Sequence, residues 1–234
     1  WAERAVRAVC QAFPTVEYDN WSRCQDYMPQ VQVSAALIDQ WDMTFPEAID
    51  LLMDAGLYLE QSAQYEQAKS LLQRALVICE RVLGSSHPNT AVALDYLAML
   101  YQDLSQYEQA ESLLQRALII CERMHGPEHR QTAIILDHLA MLYRVLNRYE
   151  QAESLFQRAL HINEKECGLD STATAVTLDN LAGLYRELGQ YEQAESLFQD
   201  ALTIRERELG LDDPSTGITL NNLALLYREL GQYE

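Results

Sequence analysis

Apolar residues recur along most of this chain in two alternating stripes, each spaced like one face of an α-helix. Between His87 and Gly126, Leu94, Leu97, Ala98 and Tyr101 stand at i, i+3, i+4 and i+7, which is the signature of an amphipathic helix. After a polar break at Ser105-Gln106, a second stripe runs through Ala110, Leu113, Leu114, Ala117, Leu118 and Cys121. The first stripe returns as Leu136/Leu139/Ala140/Tyr143, Leu178/Leu181/Ala182/Tyr185 and Leu220/Leu223/Ala224/Tyr227. The second returns as Ala152/Leu155/Phe156/Ala159 and Ala194/Leu197/Phe198/Ala201. Small residues such as Ala98 and Ala117 let two helix backbones approach, while Tyr101 and Leu114 fill the space beside them. The pattern predicts helical hairpins, one after another.

The hairpins repeat at constant length. Tyr-Glu-Gln-Ala starts at Tyr65, Tyr107, Tyr149 and Tyr191, each 42 residues after the last, and a truncated copy starts at Tyr233. A fixed period of 20–50 residues marks a solenoid whose units bury a face against their neighbours. The punctuation fits. Gly189 and Gly231 fall where a first helix ends and a left-handed residue is wanted, and Asn147 can also adopt that conformation. Ser105 and Ala63 occupy the same place at some cost. Pro88 and Pro214 stand at first helical positions, Asp213 precedes the latter as an N-cap, and Gly84, Gly126, Gly168 and Gly210 separate the pairs. Residues 1–45 do not follow the repeat. Ala2–Phe13 and Cys24–Trp41 read as helices, the second bent at Pro29, and this segment holds all three tryptophans. It reads as a degenerate helical cap on an array that fills 46–234. The chain starts at Trp1 and stops just inside a new Tyr-Glu copy, so it reads as a piece of a longer protein.

Composition narrows the partners. A net charge of −18, from 35 acidic and 17 basic residues, repels phosphate backbones and anionic membranes. Part of this excess is local, because Glu66, Glu108, Glu150 and Glu192 fall in first turns, where the helix dipole favours negative charge. No apolar run approaches the roughly 20 residues that span a bilayer. The five cysteines (Cys10, Cys24, Cys79, Cys121 and Cys167) contain no C-x-x-C pair, which signals neither a disulfide framework nor zinc and suits the reducing cytoplasm. The phosphate-binding G-x-x-x-x-G-K-[ST] and G-x-G-x-x-G motifs and the G-x-S-x-G elbow are absent. His125 and His129 flank Gly126-Pro127 but lack a third ligand, so a loop role is preferred to metal binding. No catalytic residue, metal or cofactor is expected.

The large-x-x-large-small-x-x-Tyr stripe and the following Ala-x-x-x-large-x-x-Ala stripe resemble the tetratricopeptide repeat, from about Pro46 to Glu234. That repeat commonly has 34 residues, so 42 adds about one turn to each helix. The longer form, with L-N-N-L-A-L-L-Y at Leu220–Tyr227 and G-P-E-H at Gly126–His129, is most similar to kinesin light chains. It is also similar to the sensor arms of bacterial and fungal signal-transduction ATPases of the NB-ARC type. The resemblance implies an all-α fold, a right-handed α-solenoid superhelix of tandem antiparallel helix pairs, whose first helices line a concave groove.

By the same resemblance, the second Asn of L-N-N-L-A and an Arg in the second helix contact a bound peptide. The Asn position holds Tyr96, His138, Asn180 and Asn222, and the Arg position holds Cys79, Cys121, Asn163 and Arg205. Asp95, Asp137 and Asp179 fall beside them, with Arg144, Arg186 and Arg228 a helical turn or two further on and Gly183 opening space. These acids disfavour a C-terminal carboxylate ligand; alternatively they pair with the arginines in an exposed ladder worth about 0–1 kcal/mol per pair. The expected function is non-enzymatic capture of a protein or peptide in the groove, as the ligand-sensing arm of a larger bacterial signal-transduction ATPase. A kinesin-light-chain-like cargo adaptor is the alternative. A scaffold that self-associates through Leu220, Leu223 and Tyr227 of the last helix is a further one.

Overall fold

The computed structural model describes residues 1–17 and 20–231, so the truncated copy at Tyr233 lies outside the described residues. Eleven α-helices and no β-strand occur among the described residues: α1 (Ala2–Ala12), α2 (Trp21–Gln40), α3 (Pro46–Gln61), α4 (Tyr65–Val82), α5 (Pro88–Asp103), α6 (Tyr107–Met124), α7 (Arg130–Val145), α8 (Tyr149–Glu166), α9 (Thr172–Glu187), α10 (Tyr191–Glu208) and α11 (Pro214–Glu229). From α3 onward they alternate between 16 and 18 residues, as the repeated stripes demand. The chain divides into two compact units, Trp1–Ile120 and Cys121–Glu234.

In the first unit α3 packs on α4, and α4 on α5. Leu52, Leu72, Ala75, Leu94 and Ala98 are wholly buried there, each large side chain contributing about 1.5–3 kcal/mol relative to exposure. Gly56 occupies the small position that Ala98 fills one repeat later. A Cβ on Gly56 would lie 2.5 Å from Leu72 Cδ2, so the helices approach more closely there than alanine permits. Helices α1 and α2 pack on each other and on α3. Trp21 meets Tyr58 edge to face with ring centres 5.6 Å apart, and Arg7 ion-pairs with Glu47. Helix α2 begins three residues earlier than the sequence suggests and carries Pro29 within it.

In the second unit α7 to α11 stack in order, with α9 against α7, α8, α10 and α11. Phe156 and Phe198, at equivalent positions of α8 and α10, are fully buried. The repeat tyrosines tie neighbouring pairs together. The Tyr185 hydroxyl donates to Glu153 Oε1 at 2.8 Å and accepts from Gln157 Nε2, and Tyr227 does the same with Glu195 and Gln199.

Two backbone devices explain the fixed period. At each hairpin turn one residue enters the left-handed region: Ala63, Ser105, Asn147, Gly189 and Gly231 have φ of 57°, 57°, 56°, 73° and 70°. After the first four of these the next residue donates its N–H back to the first helix, as Gln64 does to Leu59 O at 2.8 Å and Gln190 to Tyr185 O at 2.9 Å, closing the helix C-terminus. Alanine and serine pay a Cβ strain at this position, so Ala63→Gly and Ser105→Gly should each stabilise the first unit by about 0.5–1 kcal/mol. Urea midpoints that stay the same or fall would contradict this. The second device joins one pair to the next. Buried Thr90, Thr132, Thr174 and Thr216 donate Oγ1–H to the carbonyls of Gly84, Gly126, Gly168 and Gly210 at 2.8–2.9 Å. The position three residues before each threonine caps the helix, and His87 and His129 fill it in two copies. Their Nδ1 atoms accept from Asn89 N and Gln131 N at 3.1 Å. These histidines are N-caps, and the described residues contain no group of three or more potential metal ligands.

Candidate functional site

The residues singled out from the sequence converge most in the second unit, on the faces of α7 and α9 (first helices) and the C-terminal ends of α8 and α10 (second helices). Two equivalent polar clusters lie there, 42 residues apart. In one, Asn163 at the end of α8 donates Nδ2–H to Thr177 Oγ1 at 3.0 Å and to Ala173 O at 3.5 Å. Thr177 in turn donates its hydroxyl to Asp137 Oδ2 at 2.6 Å. In the other, Arg205 at the end of α10 directs Nη1 to Ser215 O at 2.7 Å, to Thr219 Oγ1, and to Asp179 Oδ2 at 3.2 Å. Asn222 Nδ2 adds a bond to Asp179 Oδ2 at 3.5 Å.

Burial decides what these groups do. Arg205 and Asn163 are only 5% and 3% exposed. The guanidinium expected to reach for a peptide is turned inward in this structure, where Asp179 occupies it. Asp179 is likewise buried, and burial raises its carboxyl above the ordinary range despite the opposing pull of Arg205. Asp137 has no such cation. Burial pushes its carboxyl up to about 7, against weaker opposing effects of Thr177 and His138. Its Oδ1 has no hydrogen-bond partner, nor has Asn163 Oδ1.

The exposed ladder uses other acids than those expected. Arg144 Nε lies 3.6 Å from Glu187 and Arg186 Nε 4.0 Å from Glu229, while Asp137 and Asp179 turn into the core. Arg144 also takes the space that Gly183 leaves. Its Nη1 donates to Asn180 O at 3.3 Å and sits 2.8 Å from where a Gly183 Cβ would be. Gly183 thus accommodates a neighbouring arginine and opens no room for ligand. One guanidinium nitrogen of Arg186, Nη1, is buried without a partner, and Arg228 is exposed.

His138, Asn163 and Asn180 come together with Asp137 and Met141 around an open cleft of about 500 Å³. Asn222, Asp179 and Arg205 form the second cluster. Tyr96 belongs to the first unit, half-buried, with its hydroxyl raised by burial and by Asp54 and Asp95. The sequence reading missed the threonines. Position 177 of the repeat reads Ala93, Ile135, Thr177 and Thr219, and the switch from apolar to hydroxyl in a core stripe was the available signal.

Tetratricopeptide repeat sequences match residues 47–118, 94–165 and 173–234, more than half of the chain. A nucleotide-binding leucine-rich repeat (NLR)-like protein of Hyaloscypha variabilis (strain UAMH 11265 / GT02V1 / F) is 32% identical over 86 residues, 37% of this chain. The chain spans only 9% of that relative's length. Among solved structures, a kinesin light chain candidate of Podosopora anserina with nearly identical TPR-like repeats superposes with a TM-score of 0.65. The two are 24% identical, over 81% of this chain and 90% of that one. A Rap protein complexed with competence and sporulation factor gives a TM-score of 0.72 at 18% identity, over 88% of this chain and 55% of the other. These identities establish the fold alone. The chain is an all-helical solenoid-type protein built from helix pairs, a class whose members serve as protein-interaction scaffolds. It belongs to the tetratricopeptide repeat family.

Proposed function

We propose that this chain is the ligand-sensing arm of a larger signal-transduction ATPase, a non-enzymatic module that captures a protein or peptide on its first-helix face. The observation that carries the reading is the α7–α9 cleft, where His138, Asn163 and Asn180 gather beside Asp137, whose Oδ1 has no hydrogen-bond partner. Its polar floor can hydrogen-bond an extended segment while Met141 supplies apolar contact. The NLR-like relative, of which this chain matches a small part, supports an arm attached to a nucleotide-binding switch. Ligand capture would bias that switch through differential affinity for its two states. Residues 1–45 would cap the array, with Trp21 on Tyr58 and Arg7 on Glu47 closing its first pair. No described helix is long and apolar enough to cross a membrane, and a cytoplasmic setting fits the reading.

A kinesin-light-chain-like adaptor is the second reading, favoured by the paired amides Asn180 and Asn222. Self-association through α11 is less well supported, since Leu223, one of its three apolar residues, is already buried. Pull-down with the full-length parent tests the reading. Asn180→Ala/Asn222→Ala should weaken partner capture about tenfold, the effect of losing two net hydrogen bonds, and Asn180→Ala alone, which leaves the Asn222–Asp179 bond in place, should keep the melting temperature unchanged. Partner addition should also alter ATP hydrolysis by the parent. Undiminished capture by the double variant removes the first-helix face, and a parent without a nucleotide-binding domain removes the sensor role.

A further inference from the structure

The two polar clusters of the second unit are copies of one site, and one copy shows what the other lacks. Asp179 and Thr219 correspond to Asp137 and Thr177, and Arg205 corresponds to Asn163. In the complete copy the chain supplies its own guanidinium to the buried carboxylate. In the other copy, Asn163 Nδ2 reaches the same threonine hydroxyl and the equivalent backbone carbonyl, Ala173 O in place of Ser215 O. The shorter side chain places no cation against Asp137. What remains is the open cleft of about 500 Å³, lined by Asp137, His138, Met141, Asn163 and Asn180.

We propose that this cleft receives an arginine side chain of the partner, whose guanidinium supplies to Asp137 the cation that Arg205 supplies to Asp179. The inference rests on the capture reading and names the chemistry that the captured segment must carry. The acceptor count supports it. Asp137 Oδ1 and Asn163 Oδ1 both lack hydrogen-bond partners, and with Asp137 ionised both are acceptors, so the ionised site lacks a donor. A guanidinium presents five N–H donors in a rigid fork, suited to bridging two neighbouring acceptors, whereas an ammonium is a single compact charge. Burial holds the Asp137 carboxyl well above the ordinary range, and no arginine opposes that rise as Arg205 does at Asp179. The chain's net charge of −18 draws a cationic segment from a distance. Exposed Arg130 also lines the cleft, and His138 acts on Asp137 as a positive charge; a bound guanidinium has to outweigh both.

The test is titration of the purified chain with Nα-acetyl-arginine methylamide, following carboxyl carbon shifts of the aspartates by NMR. Saturable binding in the millimolar range is expected, with the Asp137 titration midpoint falling by at least one pH unit. The lysine counterpart should bind at least fivefold more weakly. Asp137→Asn should abolish the response. Asn163→Arg, which supplies the guanidinium in cis, should block the probe and lower the Asp137 midpoint without it. Absence of saturation in the wild type, equal binding by Asp137→Asn, or equal affinity for lysine would each overturn the proposal. Partner capture that persists undiminished in Asn163→Arg would refute the arginine receptor while leaving the capture arm intact. A saturable arginine response in a parent that captures no protein would do the reverse.

Discussion

Arg205→Ala is expected to destabilise the second unit by about 3–5 kcal/mol, the range for removing one member of a buried ion pair. The reason is the charge left behind. Asp179 is buried, one of its oxygens already lacks a partner, and the other shares its bonds among Arg205, Asn222 and Thr219. Alanine also removes one donor from Ser215 O and one from Thr219 Oγ1. Replacing both charges with apolar side chains of similar volume, Arg205→Met with Asp179→Leu, should restore most of the loss, because neither desolvated charge then remains. Urea unfolding followed by helix content measures both variants. A loss below about 1 kcal/mol for Arg205→Ala would mean that the pair is solvated and that Arg205 is available to ligand after all. Reduced partner capture by an Arg205 variant is therefore uninterpretable unless the fold is shown to survive.

The fate of Arg205 illustrates which parts of this molecule its sequence discloses. Helix existence and pairing depend on local periodicity, and the stripes through Leu94–Tyr101 and Ala110–Cys121 are complete within one repeat. Turn residues are equally local. The left-handed conformations of Ala63, Ser105 and Asn147 follow from alignment with Gly189. The cleft is different in kind. Asp137 stands between Leu136 and Leu139, at the edge of the apolar stripe, where a helical residue can face either solvent or the next pair. Its inward turn is fixed by Thr177, 40 residues away, and that of Asp179 by Arg205, 26 residues away. Neither distance is contained within a single helix. Likewise, Gly183 looks like open space until Arg144, from the preceding pair, is seen to fill it. Residues at stripe edges take their roles from neighbouring repeats, so period alone places them without orienting them.

Stability is expected to fall as pH rises from about 5 to 8, a trend opposite to that of proteins whose carboxylates are paired. Asp137 in the second unit is raised from 3.8 to about 7 by burial, and Glu60 in the first from 4.5 to about 7 by burial and by its neighbour Asp103. Asp54 is raised to about 6 by burial and Asp50. A carboxyl whose folded pKa lies above its unfolded one binds protons more tightly when folded. Its stabilising contribution is complete below the unfolded value and disappears as pH passes the folded one. For Asp137 the interval corresponds to on the order of 4 kcal/mol at 1.36 kcal/mol per pH unit. Asp137→Asn keeps an oxygen to accept from Thr177 and removes the titration. It should therefore raise the melting temperature by several degrees at pH 8 and leave it nearly unchanged at pH 4. Glu60→Gln should act in the same way on the first unit, where the like-charged Glu60–Asp103 pair occupies the repeat position that holds Arg144–Glu187 in the second. Calorimetry of the wild type and both variants across this range, at salt high enough to screen the surface charge, separates these two groups from the general repulsion of an acidic chain. If Asp137→Asn were no more stable than the wild type at pH 8, the carboxylate would already have a counter-ion, and the open cleft beside it would need another explanation.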